Sequence, residues 1–297
     1  MKRKVIQIAG STQLVSLPRN WALAHNVKKG DEVEVEAQGS QVIISTETKS
    51  DIKSITIKLP TSEHFLKRTI TSLYIHGYDE IVAEFDDPKI MPRIQQVIDG
   101  CLGYEIVSQT SSNCTIKSIV SASSEEFNVM FRKAMIMLVE MAKDSHSAIQ
   151  SKDYNQLTEI ALREKSNNKI TLFCLRLLNK YGYKEHAKLT TMYTIVCLVE
   201  NAVDCYRDLY KHILEHKPNL SRQFMQAYGD VIMLTENFYE IFFKYDASKA
   251  LEFKNKVKKT RDAGFKMLKS KRWHESILLY YMLQILDRFH HALVYVA

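Results

Sequence analysis

Glu200 and Asp204 stand four residues apart in the stretch Leu198-Val199-Glu200-Asn201-Ala202-Val203-Asp204. Residues at that spacing share one face of a helix, with Cβ atoms about 6 Å apart, so the two carboxylates can concentrate negative charge in one place. The opposite charge gathers between Lys244 and Arg272, where eleven Lys or Arg stand against three Asp or Glu, a local surplus of eight. Lys254, Lys256, Lys258 and Lys259 crowd one part of that stretch, and such a basic face needs an anionic partner or plain solvent. A third set of charges, Lys2, Arg3, Lys4, Arg19, Lys28 and Lys29, lies near the start, where Glu32, Glu34 and Glu36 partly cancel it. No G-x-x-x-x-G-K-[ST], G-x-G-x-x-G, H-E-x-x-H or G-x-S-x-G occurs, and nine glycines leave little material for a phosphate-cradling loop. The expectation is a chain that binds rather than catalyses.

The elements that must position these residues change character twice along the chain. Residues 4–9, 13–17, 32–37 and 41–46 alternate or are rich in Val and Ile, with Gly10-Ser11 and Gly39-Ser40 between them, and read as four short strands. Pro18 to Val27 is a short helix candidate ended by Lys28-Lys29-Gly30-Asp31. So small a unit cannot easily build a core alone, so it is expected to dimerise. After a polar linker at 48–54, strands at 54–59, 79–85, 104–110 and 113–120 interleave with helices near 62–76 and 88–101. This predicts an α/β middle segment over 52–121, ferredoxin-like in its order of elements. From Ser123 onward six amphipathic stretches follow, near 124–151, 154–182, 186–216, 220–245, 248–271 and 273–297. Ser123-x-x-Glu126 and Asp153-x-x-Gln156 are capping-box signatures, while Gly182 and Pro218 mark breaks. Short connections make neighbouring helices antiparallel. Leu198–Asp204 in the third stretch corresponds to Leu286–His291 in the sixth, so residues 123–297 are expected as two tandem three-helix bundles.

Length and composition fit a multidomain protein of two or three domains. The start, MKRKVIQIAGSTQ, has no apolar stretch of signal-peptide length, and the run from Ile277 to Leu286 is too short to span a bilayer before Asp287 and Arg288 interrupt it. The five cysteines form no C-x-x-C pair. A cytoplasmic location is the expectation.

The segment GSTQLVSLPRNWALAHNVKKGDEVEVE resembles the AbrB/SpoVT/MazE family of swapped-hairpin DNA-binding domains. Gly10, Ser11, Val15, Leu17, Pro18, Arg19, Gly30, Asp31, Val33 and Val35 sit where that family's pattern wants them. The resemblance implies that residues 1–47 are a DNA-binding and dimerisation module whose Lys2, Arg3, Lys4, Arg19, Lys28 and Lys29 meet the phosphate backbone. Contacts of that kind give salt-sensitive binding with little base specificity of their own.

The stretch Leu198–Asp204 resembles the Leu-Glu-Arg-Ile-Gly-Asp stretch of PhoU proteins, regulators of phosphate uptake, and archaeal members of that family join such a domain to an AbrB-type head. The resemblance implies a DNA-binding regulator of phosphate homeostasis with DNA, a second copy of itself, and phosphate transporter or sensor proteins as partners. An adaptor in which the head only dimerises is the other reading. In PhoU proteins E/D-x-x-x-D pairs from two helices hold metal ions. By that likeness Glu164, Asn168, Glu200 and Asp204 are the candidate ligands in the first bundle, for a divalent or iron-type ion bound by hard oxygen atoms. A metal-dependent hydrolase using Glu164, Glu200 and Asp204 is a third, less favoured class. The second bundle departs from the pattern: Asp287-x-x-x-His291 faces a stretch of lysines, so a lysine ammonium is expected to pair with Asp287 in place of a metal. Lys254, Lys256, Lys258, Lys259 and Asp287 are then candidates for docking a partner. His290 and His291 are adjacent and point to different faces, which disfavours a two-histidine metal site there.

Overall fold

The computed structural model describes residues 2–8, 10–46, 52–120, 122–269 and 272–296. Residues 48–51 of the expected polar linker lie outside them. The chain divides into two compact units, 1–51 and 52–297.

The first unit contains two separate antiparallel hairpins. In one, β1 (Ile6–Ile8) pairs with β2 (Thr12–Leu14), with Ile6 opposite Leu14. In the other, β3 (Glu34–Gln38) pairs with β4 (Gln41–Ser45), with Val35 opposite Ile44 and Ala37 opposite Val42. The tight turns place Gly10 at φ +79° and Gly39 at φ +58°, a region where a side chain would strain the backbone. Between the hairpins runs α1 (Arg19–Ala24), entered through Pro18, whose fixed φ suits a helix start. Lys28 N–H donates to Asp31 Oδ2 at 2.7 Å, closing the turn that leads into β3. All five elements match the sequence expectation, with ends drawn in by a few residues.

The second unit begins with a four-stranded sheet. β5 (Ser54–Lys58) lies parallel to β6 (Glu80–Glu84), joined by α2 (Glu63–Ile75). A 3₁₀ turn at Pro88–Ile90 leads into α3 (Met91–Ile98), and β7 (Tyr104–Gln109) and β8 (Asn113–Ser118) form a closing hairpin. The strand order is β5-β6-β8-β7. The middle segment is therefore α/β, but it is not ferredoxin-like. A ferredoxin-like sheet splits its first two strands so that another strand enters between them, whereas here the β5-α2-β6 crossover lays them side by side. The chain order, with both helices ahead of the hairpin, already differs from the β-α-β-β-α-β order of that fold. Strand residues Ile81, Ala83, Cys114 and Ile116 alternate inward against Leu66, Ile70, Ile94 and Ile98 of the helices, all buried.

Six helices follow: α4 (Glu126–Ser151), α5 (Tyr154–Tyr181), α6 (Leu189–His216), α7 (Arg222–Phe243), α8 (Ala247–Met267) and α9 (Trp273–Leu293). α4, α5 and α6 pack as one triplet and α7, α8 and α9 as a second, and α6 lies along α9 while α4 touches α7. The expected tandem bundles are present. Asp153 caps α5 by accepting from Gln156 N–H at 3.0 Å, as its spacing foretold, and Ser221 caps α7 in the same way. Ser123 does not cap α4, whose first turn starts at Glu125 without a side-chain bond.

Polar side chains at the triplet junction fix its register. Tyr206, Tyr210 and Tyr228 are fully buried. Tyr206 Oη pairs with Thr235 Oγ1 at 2.7 Å, Tyr228 Oη with Ser145 Oγ at 2.6 Å, and Tyr210 Oη donates to Met141 O at 3.2 Å. A buried hydroxyl left without a partner costs about 1–3 kcal/mol, so any sliding of α6 against α7 or α4 is opposed at three places.

The sheet is locked to the first triplet by Arg176 of α5. Its side chain is 5% exposed; Nη1 donates to the carbonyls of Tyr74 (2.9 Å) and Tyr78 (2.6 Å), and Nη2 to Asp79 Oδ1 at 2.8 Å. Lys180 also pairs with Asp79, and Asn179 donates to Ile75 O. A buried charge is tolerable only when so fully bonded.

Candidate functional site

In the first unit none of the described residues is buried. The apolar residues that alternate on each hairpin share a face, yet that face is bare: Ile6 is 57% exposed, Val35 63% and Val42 64%. Leu23 of α1 is exposed as well. Hairpins with an uncovered apolar face are marginal on their own in water. The six basic side chains, Lys2, Arg3, Lys4, Arg19, Lys28 and Lys29, are all exposed, and none of them forms an ion pair among the described residues. Cations not tied to internal carboxylates remain available to an outside anion.

The carboxylates of the first triplet do come together. Glu164 and Asn168 sit on α5, Glu200 and Asp204 on α6, each pair one turn apart. What sequence reasoning missed is the fifth member, Arg207, one turn beyond Asp204 on the same face. Its Nη1 pairs with Asp204 and lies 3.3 Å from Glu164 Oε1, while Nε binds Asp208 at 2.9 Å. Asn168 Nδ2 donates to Glu164, and its Oδ1 is buried without a donor among the described residues. The i,i+3 spacing of Asp204 and Arg207 was the readable signal.

This arrangement fits a guanidinium rather than a metal ion. The arginine bridges two of the carboxylates expected as ligands, and among the described residues no three Asp, Glu, His or Cys are arranged to hold a metal. Glu200 has no ion-pair partner of its own among the described residues. Burial, then the neighbouring Asp204 charge, push its carboxyl up to about 7, against the opposing pull of Arg207. Asp204 is raised as well, chiefly by burial, and Arg207 again opposes the shift. The site therefore holds a carboxyl able to gain or lose a proton near neutral pH.

In the second triplet the cation beside Asp287 is Arg261 of α8, at 3.4 Å, and not a lysine. Phe253 and Val257 mark the buried stripe of α8, and Arg261 lies one turn past Val257 on that stripe. Lys254, Lys258 and Lys259 fall on the outer face and are exposed, and Lys256 pairs with Glu252 at 2.8 Å. Asp287 is further flanked by His291 Nε2 at 3.6 Å and Arg288 at 3.9 Å, so it is committed inside the bundle rather than offered to a partner.

Residues 6–52 match the family model described as "Antidote-toxin recognition MazE, bacterial antitoxin". The N-terminal segment is a MazE/AbrB-type domain. The chain is also similar to the crystal structure of the phosphate transport system regulatory protein PhoU from Streptococcus pneumoniae, at 16% identity and a TM-score of 0.48, over 58% of this chain and 92% of that one. No curated protein matches. Among the described residues no helix is long and apolar enough to cross a membrane.

Proposed function

We propose that this protein is a DNA-binding regulator that acts as a dimer through residues 1–47 and serves phosphate homeostasis. The observation that carries the reading is the state of the MazE/AbrB-type domain, whose two hairpins expose their apolar faces and whose six cations form no ion pair among the described residues. A second copy supplies the missing half of the core. Dimerisation then doubles the number of basic side chains along one duplex, and each neutralised phosphate releases counterions.

The helical region is read as the part that receives the signal. Its tandem triplets and the Leu198–Asp204 stretch support the phosphate-regulating role. The buried Arg176 contacts, from α5 to Tyr74 and Asp79, support the sheet as a rigid extension of the first triplet. The exposed lysines of α8 are the candidate contact for an acidic transporter or sensor protein.

A gel shift across salt concentrations, with the full chain and with residues 1–47 removed, tests the reading. The full chain should shift DNA with an affinity that falls steeply as salt rises, and the truncated chain should not. Full-chain dimers that leave DNA unshifted at low salt would make the protein an adaptor instead.

A further inference from the structure

A groove of about 470 Å³ in the second unit runs between α2 and α6. α2 turns Leu66, Ile70 and Tyr74 into the core, and the flank left over carries His64, Lys67, Arg68, Thr71 and Ile75 in successive turns. Tyr193, in the second turn of α6, forms the opposite wall.

The walls are chemically one-sided. No Asp or Glu lines the groove, and the nearest acid in sequence, Glu63, is paired with Arg93 at 3.7 Å. The side chains of Lys67, Arg68, Thr71 and Tyr193 form no hydrogen bond or ion pair among the described residues, and Lys67 and Arg68 are exposed. Two unpaired cations side by side, next to an uncovered aromatic ring, suit an anion that also has a flat apolar part.

We propose that this groove binds a mononucleotide, its phosphate held by Lys67 and Arg68 and its base laid against the Tyr193 ring and Ile75. Arg presents a rigid fork that meets two phosphate oxygens at once, while Lys adds a point charge. Stacking on an aromatic ring serves any base, since every base has a π-face. The hydroxyls of Thr71 and Tyr193 are left to bond the sugar. The volume falls within the usual range of small-molecule sites, about 300–1,000 Å³. The groove also reaches the carboxylates of the first triplet. Burial raises the Asp204 carboxyl, and Lys67 is among the cations that oppose that rise. A phosphate on Lys67 offsets its pull, so occupancy of the groove is felt at Asp204. That the nucleotide is the signal received by the helical region rests on the function proposed above; that it binds does not.

Calorimetric titration of the full chain with AMP, adenosine and inorganic phosphate, in the absence of DNA, tests the site independently of what the head binds. AMP is expected to saturate at one equivalent per chain. Adenosine and inorganic phosphate should each bind at least about tenfold more weakly, since each keeps only one part of the contacts. Arg68→Gln and Lys67→Gln should each weaken AMP about tenfold or more, the scale of one charge-assisted bond, and leave adenosine unchanged. Tyr193→Ala should weaken AMP by a similar factor and leave inorganic phosphate unchanged. Lys133→Gln, which removes an exposed cation of α4, should bind AMP as the parent does. Because Lys67 and Arg68 are exposed, K67Q and R68Q stay folded even if a variant at Tyr193 does not. Absence of saturable AMP binding in the parent, an equal loss in K133Q and R68Q, or inorganic phosphate bound as tightly as AMP overturns the proposal.

Discussion

The two units of this chain solve the same problem in opposite ways. In the helical region, aromatic and aliphatic residues such as Phe127, Tyr206, Phe238 and Phe289 are almost wholly removed from water by their own chain. In residues 2–46 no described residue is buried, although Ile6, Ile8, Leu14, Val35 and Val42 have the same chemistry. The difference teaches that a short segment can carry a correct strand pattern and still lack the mass to cover it, which is why the proposed dimer gives the second copy the task of covering that face.

The sharpest way to break that contrast is to charge the bare face. In the proposed dimer, Ile8→Asp combined with Leu14→Asp removes two apolar side chains from each of two chains. At about 1.5–3 kcal/mol per side chain this costs roughly 6 kcal/mol or more of association. Analytical ultracentrifugation should show a dimeric parent and a monomeric variant, with the helical CD signal and melting temperature unchanged. A dimer that survives would mean that the head's apolar faces are not the interface.

The converse perturbation belongs to the body. Arg176→Met leaves Lys180 as the ion-pair partner of Asp79 and takes one donor from each of the carbonyls of Tyr74 and Tyr78. The expected loss is about 3 kcal/mol, the low end for breaking a buried pair. Thermal melts should record it, while the oligomeric state stays that of the parent.

How much of this was legible beforehand follows the same division. The head was readable because Gly10, Pro18, Gly30 and Asp31 are local signals, each dictated by one turn or one helix start. The six helices were readable from periodicity, and Asp153 from its cap spacing. The partners of charged groups were not, because they depend on which helices meet. Arg207 and Arg261 take places assigned to a metal and to a lysine, and only the packing of α5 on α6 and of α8 on α9 reveals it. The ferredoxin-like order was an error of topology that element order alone could have prevented.

A smaller effect probes the head's charges. Lys28→Gln removes one exposed cation per chain, hence two in the proposed dimer. If both meet phosphate, the slope of log affinity against log salt should become shallower by about 2, equally for unrelated DNA sequences. An unchanged slope places Lys28 away from the duplex, and a sequence-dependent loss would assign it to base contact instead.

The smallest effect distinguishes the two units by pH. Glu200 of the body, raised by burial to about 7 from a usual value of 4.5, changes state within the neutral range. Between those two values the unfolded chain has already released the proton that the folded chain still holds. Unfolding there releases a proton, so the stability of the body declines as pH rises from about 4.5 to 7 and levels off above it. Glu200→Gln cannot ionise and should flatten this decline, raising the melting temperature at pH 8 by about 2–4 °C, the shift that 1 kcal/mol gives a domain of this size. The gain should vanish at pH 4.5, where Glu200 is protonated in the folded chain as well. If DNA affinity of the full chain follows the same pH curve and that of E200Q does not, the first triplet and the head are coupled. If melting responds and affinity does not, the two units share a chain but not a signal.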